Sequence, residues 1–238
     1  MKTLAEQPLS GIVLEHHEVI PVMEKYSFDF CCNGKKTLAE VCREKQIDLG
    51  TVLAEIEQVG RTAKPGLPFG AMNVVELISY ILIHHHFYVR QVMPTIYIHI
   101  EKVAVKHGDR YPHMKKVLEI FSHVREEMEA HMLKEENILF PRIREIAAAK
   151  LEQQQPNLAA SYISAPIALM ELEHDHAGAM LFEIRELTHN YKAPDDACTT
   201  HQVCLEELKA FEEDLHQHVH LENNILFPKA SKMLAALQ

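Results

Sequence analysis

The sequence predicts an all-α protein, an up-down four-helix bundle preceded by a small helical domain. Three observations carry this. Apolar residues recur at helical spacing through four long stretches. The 238 residues include only 8 Gly and 11 Pro, too few for the many tight turns of a hairpin-rich β fold. An eleven-residue stretch recurs 87 residues later, as in a bundle made of two similar helical hairpins.

Residues 1–60 form the small domain. Ile12, Val13, Ile20, Val22 and Met23 lead into YSFDFCCNGKKTLAEVCREK. Asn33-Gly34 is a turn signal, and Leu38, Val41 and Cys42, then Val52, Leu53 and Ile56, have helical spacing. Residues 61–70 are the linker, the core of GRTAKPGLPFG, which holds three Gly and two Pro in eleven residues. Each unit carries its own apolar pattern, so the two are expected to fold separately. The bundle spans 71–238. Its first helix covers 73–107, with a bend available at Pro94. The second covers 113–149, with Pro141 near its end. EQQQPNLAASYISAP has turn composition and leads to a third helix over 166–190. NYKAPDDACTT breaks the pattern again before a fourth helix over 200–234.

Composition narrows the function. Hydrophobic residues make up 47% and charged residues 24%, which excludes a disordered chain. With 24 Lys+Arg against 34 Asp+Glu the net charge is -10, so phosphate backbones and anionic membranes are repelled and no nucleic-acid or membrane partner is expected. No stretch reaches the roughly 18 apolar residues of a membrane span, and the opening residues do not read as a secretory leader. Five cysteines at irregular spacing read as free thiols of a reducing, cytoplasmic protein. Seventeen histidines in an acidic chain raise metal binding.

The repeat sharpens that idea. HMLKEENILFP starts at His131 and HVHLENNILFP at His218, sharing seven letters in register. His86 and His174 are offset by 88 residues. Residues four apart on a helix lie about 40° apart around the axis and about 6 Å along it, so His131 and Glu135 point one way, as do His218 and Glu222. Inward groups at matched depth converge in a bundle. The expected metal ligands are therefore His86, His131, Glu135, His174, His218 and Glu222. Six ligands would saturate one ion. Shared by two, with Glu135 and Glu222 bridging, they leave room for an oxo or hydroxo bridge and a small ligand. Mixed imidazole and carboxylate ligation with open positions suits iron, with manganese behind it. Zinc prefers tetrahedral sites.

These residues resemble a known family, the iron-sulfur cluster repair di-iron proteins (the RIC family), whose haemerythrin-like bundle carries an extra N-terminal domain. The resemblance spans nearly the whole chain. It rests on YSFDFCCNGKKTLAEVCREK, HGD at 107–109, HMLKEENILFP, ELEHDHAG at 171–178, ACTT at 197–200 and HVHLENNILFP. It implies a di-iron centre and a role in restoring clusters damaged by nitric oxide or oxidants, by donating iron or removing nitric oxide. The implied partners are damaged iron-sulfur proteins or their assembly machinery, with nitric oxide or oxygen as small ligands. A di-iron nitric oxide reductase and a haemerythrin-like oxygen-binding or sensing protein are the alternatives, and a homodimer is one candidate assembly. Haemerythrin has a further His where this chain has Gly178, which favours a reactive or metal-releasing centre. His107 also matches a recurrent family His, but it lies 21 residues beyond His86, about 31 Å along a helix, and so is read as an end-of-helix residue.

Glu127, four residues before His131, and Glu173, beside His174, are candidates for orienting an imidazole or forming a proton path, with solvated helix charges as the alternative. His84, His85, His216 and His220 are expected at the surface. Cys31-Cys32 is the other chemical feature, and the resemblance makes the pair a family signature. Adjacent cysteines form only strained disulfides, so separate thiols are expected. Their place after the aromatic-rich YSFDF and before a turn favours exposed thiols that relay iron or nitric oxide or dock a partner. Burial as small hydrophobes is the alternative.

Overall fold

Among the described residues the small N-terminal unit holds four short helices, α1 (Leu9–Glu15), α2 (Ile20–Lys25), α3 (Leu38–Glu44) and α4 (Leu49–Thr62), with 3-10 turns at Leu4–Glu6 and His17–Val19. The computed structural model describes residues 3–32, 34–62, 67–155 and 157–237. Asn33 of the expected turn and residues 63–66 of the expected linker lie outside them. Thr37 starts α3 with a capping box. Its hydroxyl accepts from the Glu40 N–H (3.3 Å), and the Glu40 carboxylate accepts from the Thr37 N–H (2.8 Å).

Four rods make the bundle. The first is α5 (Val74–Tyr80), a π-helical segment (Ile81–His86) and α6 (Phe87–His107). The second is α7 (His113–Lys134), a π-helical segment (Glu135–Leu139) and α8 (Phe140–Leu151). The third is α9 (Ser161–Leu187). The fourth is α10 (Thr199–Leu221), a π-helical segment (Glu222–Leu226) and α11 (Phe227–Ala235). The first rod opens on Asn73, whose side chain accepts from the N–H groups of Val75 (2.9 Å) and Glu76 (3.0 Å).

The third rod starts five residues before the expected 166, with Pro166 inside it. A proline offers no N–H to the carbonyl four residues back. That carbonyl belongs to Tyr162 and instead accepts from Arg142 Nη1 (2.7 Å), so the helix tolerates the proline. In rods two and four Pro141 and Pro228 each follow a π segment by two residues, and their missing N–H interrupts the helical ladder there.

The core is two apolar clusters. One takes in Val89–Met132 and Ala177–Val219 of the bundle, including Phe121, Val124, Leu181 and Phe211. The other gathers Leu77, Ile81, Phe140, Ile143, Met170 and Phe227 nearer the opposite end. The first cluster also includes Leu9, Ile12, Met23, Phe30, Leu38 and Val52 of the small unit. The two units therefore share one core, which differs from the expected separate cores. Half-buried ion pairs reinforce the joint: Glu24 accepts from His216 Nδ1 (2.8 Å) and lies 3.9 Å from Arg185, which pairs with buried Glu212 (2.8 Å). Asn224 Nδ2 donates to the Cys31 carbonyl (3.0 Å).

Candidate metal centre

Between the two apolar clusters lies a layer of buried polar side chains, and it contains His86, His131, Glu135, His174, His218 and Glu222. Each is at most 2% exposed. The π segments meet the layer at His86, Glu135 and Glu222, an instance of the functional placement such segments favour. Glu135 Oε2 is 3.3 Å from His86 Nε2 and 3.4 Å from His131 Nε2. Glu222 is 3.2 Å from His174 Nε2 and 3.2 Å from His218 Nε2. The Nε2 atoms of His131 and His174 are 3.1 Å apart. Across the layer the atoms form two overlapping groups, each sharing both carboxylates: His86 with His218, and His131 with His174.

The donor set fits cations. His86 Nε2, His218 Nε2 and all four carboxylate oxygens are buried without a hydrogen-bond partner. Orphaned polar atoms of this kind are costly unless something absent from the protein satisfies them. Their spacing also suits a shared ion, since two donors each about 2.1 Å from one cation lie about 3.0–3.4 Å apart. Charge points the same way. Burial pushes the Glu222 carboxyl up, but His218 and His174 more than offset this and hold it well below the usual carboxylate range. Burial and the Glu222 charge push Glu135 up, yet His131 and His86 bring it below its ordinary value. Burial lowers His131, while Glu135 and Glu222 raise it further, to about 9. Burial holds the His218 imidazole below its ordinary value.

The outward faces of the imidazoles are held by residues that spacing did not single out. His86 Nδ1 donates to Glu136 (2.7 Å), and His174 Nδ1 donates to Asn223 (2.9 Å). These partners occupy the same place in the repeat, directly after each glutamate, which was the available signal. His131 Nδ1 donates to Glu173 (2.9 Å), the expected residue on an unexpected histidine. Glu127 is elsewhere: it faces outward and accepts from exposed His176 (2.9 Å), because its face of α7 turns toward solvent. His107 ends α6, with Nε2 3.5 Å from Cys198 Sγ, at the far end of the bundle from the polar layer.

Two of the histidines expected at the surface are buried. His85 stacks on His218, with ring centres 5.4 Å apart and planes 7° apart, and its Nδ1 is 3.0 Å from Asp214. His220 is fully buried against the small unit, 3.2 Å from Asn224. His216 is half-buried on Glu24, while His84 is exposed beside Tyr80.

Cys31 also departs from expectation, being buried rather than exposed, while Cys32 is half-buried. The reason is that Phe30 and Cys31 enter the shared core. The Cys31 thiol lies 3.6 Å from Cys32 Sγ and 3.4 Å from Asp29 Oδ1. Its hydrogen bond with Cys32, burial and the Asp29 charge push it well up. All five cysteines are free. A cavity of about 350 Å³ is lined by Asp29, Cys31 and Cys32 on one side and by His174, Gly178 and His216 on the other. A Cβ placed on Gly178 would meet nothing within 4 Å. Among the described residues no helix is long and apolar enough to cross a membrane.

Comparison with known proteins agrees with this geometry. Residues 77–230 match the Hemerythrin HHE cation binding domain, and residues 5–60 match a domain of unknown function, DUF542. Iron-sulfur cluster repair protein YtfE of Escherichia coli O81 (strain ED1a) is 32% identical over 225 residues, covering 94% of this chain and 96% of that protein. The proteins of the same name from Escherichia coli O1:K1 / APEC and Escherichia fergusonii show the same identity and coverage. With a buried His and Glu cluster fit for cations, a hemerythrin domain over most of its length and such relatives, the chain belongs to the iron-sulfur cluster repair family of hemerythrin-domain proteins.

Proposed function

We propose that the chain restores iron-sulfur clusters damaged by nitrosative or oxidative stress and that it does so with two irons, held by His86, His131, His174 and His218 and bridged by Glu135 and Glu222. The observation that carries this is the set of buried, unpartnered imidazole and carboxylate atoms converging on one layer of the bundle. Two irons there would supply exchangeable metal and open positions for a small ligand such as nitric oxide or oxygen. Glu135 and Glu222 hold the negative charge that retains them. Glu136, Glu173 and Asn223 orient His86, His131 and His174 so that the Nε2 of each faces inward. The apolar clusters on either side exclude bulk water.

In this reading Cys31 and Cys32 serve the same task from the small unit. They share a cavity with His174, so a species passing between client and centre meets the thiols on the way. The clients are iron-sulfur proteins with damaged clusters, and the free thiols suit the reducing cytoplasm.

Full-length protein from iron-replete cells should contain two irons per chain with a coupled Mössbauer spectrum. It should reactivate an iron-sulfur enzyme inactivated by nitric oxide. Cys31→Ser combined with Cys32→Ser should retain both irons and lose reactivation. Full reactivation by that double variant would remove the thiols from the route. Sustained nitrous oxide formation over many cycles would instead make the protein a nitric oxide reductase.

A further inference from the structure

Two of the sequence motifs, HGD at 107–109 and ACTT at 197–200, take no part in the polar layer, yet the fold brings them together. His107 ends α6 and Cys198 stands at the start of α10, 91 residues on, with His107 Nε2 3.5 Å from Cys198 Sγ. Gly108 permits the close turn behind His107, since a Cβ there would sit 2.1 Å from the Ala104 carbonyl oxygen. Tyr111 is fixed beside the pair: its hydroxyl donates to Asp196 (2.5 Å), which Arg110 also holds. Three imidazoles gather round the Tyr111 ring, with centres 6.5 Å away for His107, 6.2 Å for His113 and 4.9 Å for His201.

His201 is the residue that needs an explanation. It is 0% exposed, and neither ring nitrogen has a hydrogen-bond partner. A buried imidazole left unpaired is costly unless something absent from the protein satisfies it. His201 is the third residue of α10 and Cys198 is its N-cap, the two places whose side chains reach toward each other in a capping box. The Cys198 side chain makes no capping bond of its own. Burial pushes the His201 imidazole below its ordinary value, and nearby His113 and His107 push it the same way. It therefore stays neutral, the form that ligates metal.

A tetrahedral cation about 2.3 Å from a sulfur and about 2.1 Å from a nitrogen sets those atoms about 3.5 Å apart, the spacing of Cys198 and His107. We propose that Cys198, His107 and His201 form a second metal site, separate from the polar layer, for a zinc-like, borderline-soft divalent cation. A thiolate with imidazoles selects such an ion over the harder ones that suit carboxylate-rich sites. Cys198 is exposed and His107 half-buried, so the ion arrives from solvent, and His201 is the third donor it recruits from behind. On binding, the sulfur–hydrogen bond breaks, a sulfur–metal bond forms and the proton leaves to solvent. The bound ion ties the turn after α6 to the start of α10.

The test titrates the full, iron-loaded chain with cobalt(II), a coloured stand-in for zinc, in the absence of oxygen. One cobalt per chain is expected beyond the iron already held, with a thiolate-to-cobalt charge-transfer band and the intense visible bands of tetrahedral cobalt. Zinc should bleach both, and the iron content should not change. Cys198→Ser should lose the charge-transfer band, and His107→Gln should lose stoichiometric uptake. His201→Asn should lose it too, and the first two variants decide the matter if that one does not fold. Cys31→Ser with Cys32→Ser should leave every band as it is. Absence of cobalt uptake beyond the iron would overturn the proposal and leave a thiol–imidazole hydrogen bond as the whole of the contact. So would a charge-transfer band that survives in Cys198→Ser, one that vanishes with Cys31 and Cys32 instead, or unaltered uptake by His107→Gln.

Discussion

Asn137 and Asn224 hold the same place in the two hairpins, 87 residues apart, yet they do different things. Asn137 donates to the Leu133 carbonyl of its own rod (2.8 Å), whereas Asn224 donates to the Cys31 carbonyl of the small unit (3.0 Å). The same divergence recurs. Glu136 matches Asn223, and Glu173 matches His85. Tyr97 and Arg125, joined by a cation-π contact at 4.6 Å, match Arg185 and Glu212, joined as a buried ion pair at 2.8 Å. Arg90, which ties down Glu136, matches Gly178, which leaves the cavity open. The hairpins are alike where they face the polar layer and unlike one position away. In the first hairpin Glu136, held by Arg90, braces His86. In the second, Asn223 and Glu173 brace His174 and His131, while Asn224 seats the small unit and Gly178 borders the cavity. Even the rods differ, since both rods of the first hairpin carry a π segment while α9 runs without one.

The comparison can be broken most severely at its point of symmetry. Glu135→Ala and Glu222→Ala should each bring iron below two per chain by metal analysis, because each removes a bridge. Two irons retained in either variant would end the shared role of the carboxylates. The next largest effect separates the arginines of the two matched pairs. Arg185→Met leaves buried Glu212 without its cation and should cost about 3–5 kcal/mol in urea unfolding. Arg125→Met loses only a cation-π contact and should cost about 1 kcal/mol. Equal losses would show that the second hairpin has no special tie to the small unit.

A third test uses pH. His220 takes the place held in the first hairpin by Leu133, which is exposed. Burial, aided by His17, lowers His220 to about 4. The unfolded chain therefore takes up a proton on this group below about 6.5, and the folded chain does so only below about 4. Stability should fall as pH drops from about 6.5 to about 4, by a contribution on the order of 3 kcal/mol. His220→Gln should remove that slope when the pH dependence of its unfolding is set against that of the unaltered chain. An unchanged slope would mean that other groups carry it. The smallest effect is at Gly178. Gly178→Ala gains helix propensity of roughly 0.8–1 kcal/mol, and its methyl meets nothing within 4 Å, so the melting temperature should rise by about 2–4 °C with iron content unchanged. A fall in melting temperature would show that the site tolerates no side chain.

Much of this was readable from the chain because it is local or repeated. Helical spacing over 74–107 and 113–151 needs only neighbouring residues, and the rods differ from expectation chiefly where α9 begins earlier, at Ser161. His131 with Glu135 and His218 with Glu222 share a face by helix geometry alone. What spacing could not show is how each rod is rotated against its neighbours. Glu127 and Glu173 are both within reach of a ligand histidine by sequence, yet only Glu173 touches one, because α9 presents it to α7 while Glu127 faces water. His85 adjoins exposed His84 and His220 ends a histidine-rich run, but both turn inward, one onto His218 and one onto the small unit. Cys31 follows an aromatic run that anchors it in the shared core, so its burial depended on a partner surface formed by residues nearly 200 positions away.

By itself, then, the sequence determined the four rods, the duplicated hairpin and the six inward side chains, since periodicity and repetition are properties of one chain direction. Only the tertiary structure decided which carboxylate braces which imidazole, that the small unit and the bundle share a core, and that a cavity joins the thiols to His174. Those are contacts between elements distant in sequence. They depend on helix rotation and on the packing of both apolar clusters around a buried polar layer, which no local pattern encodes.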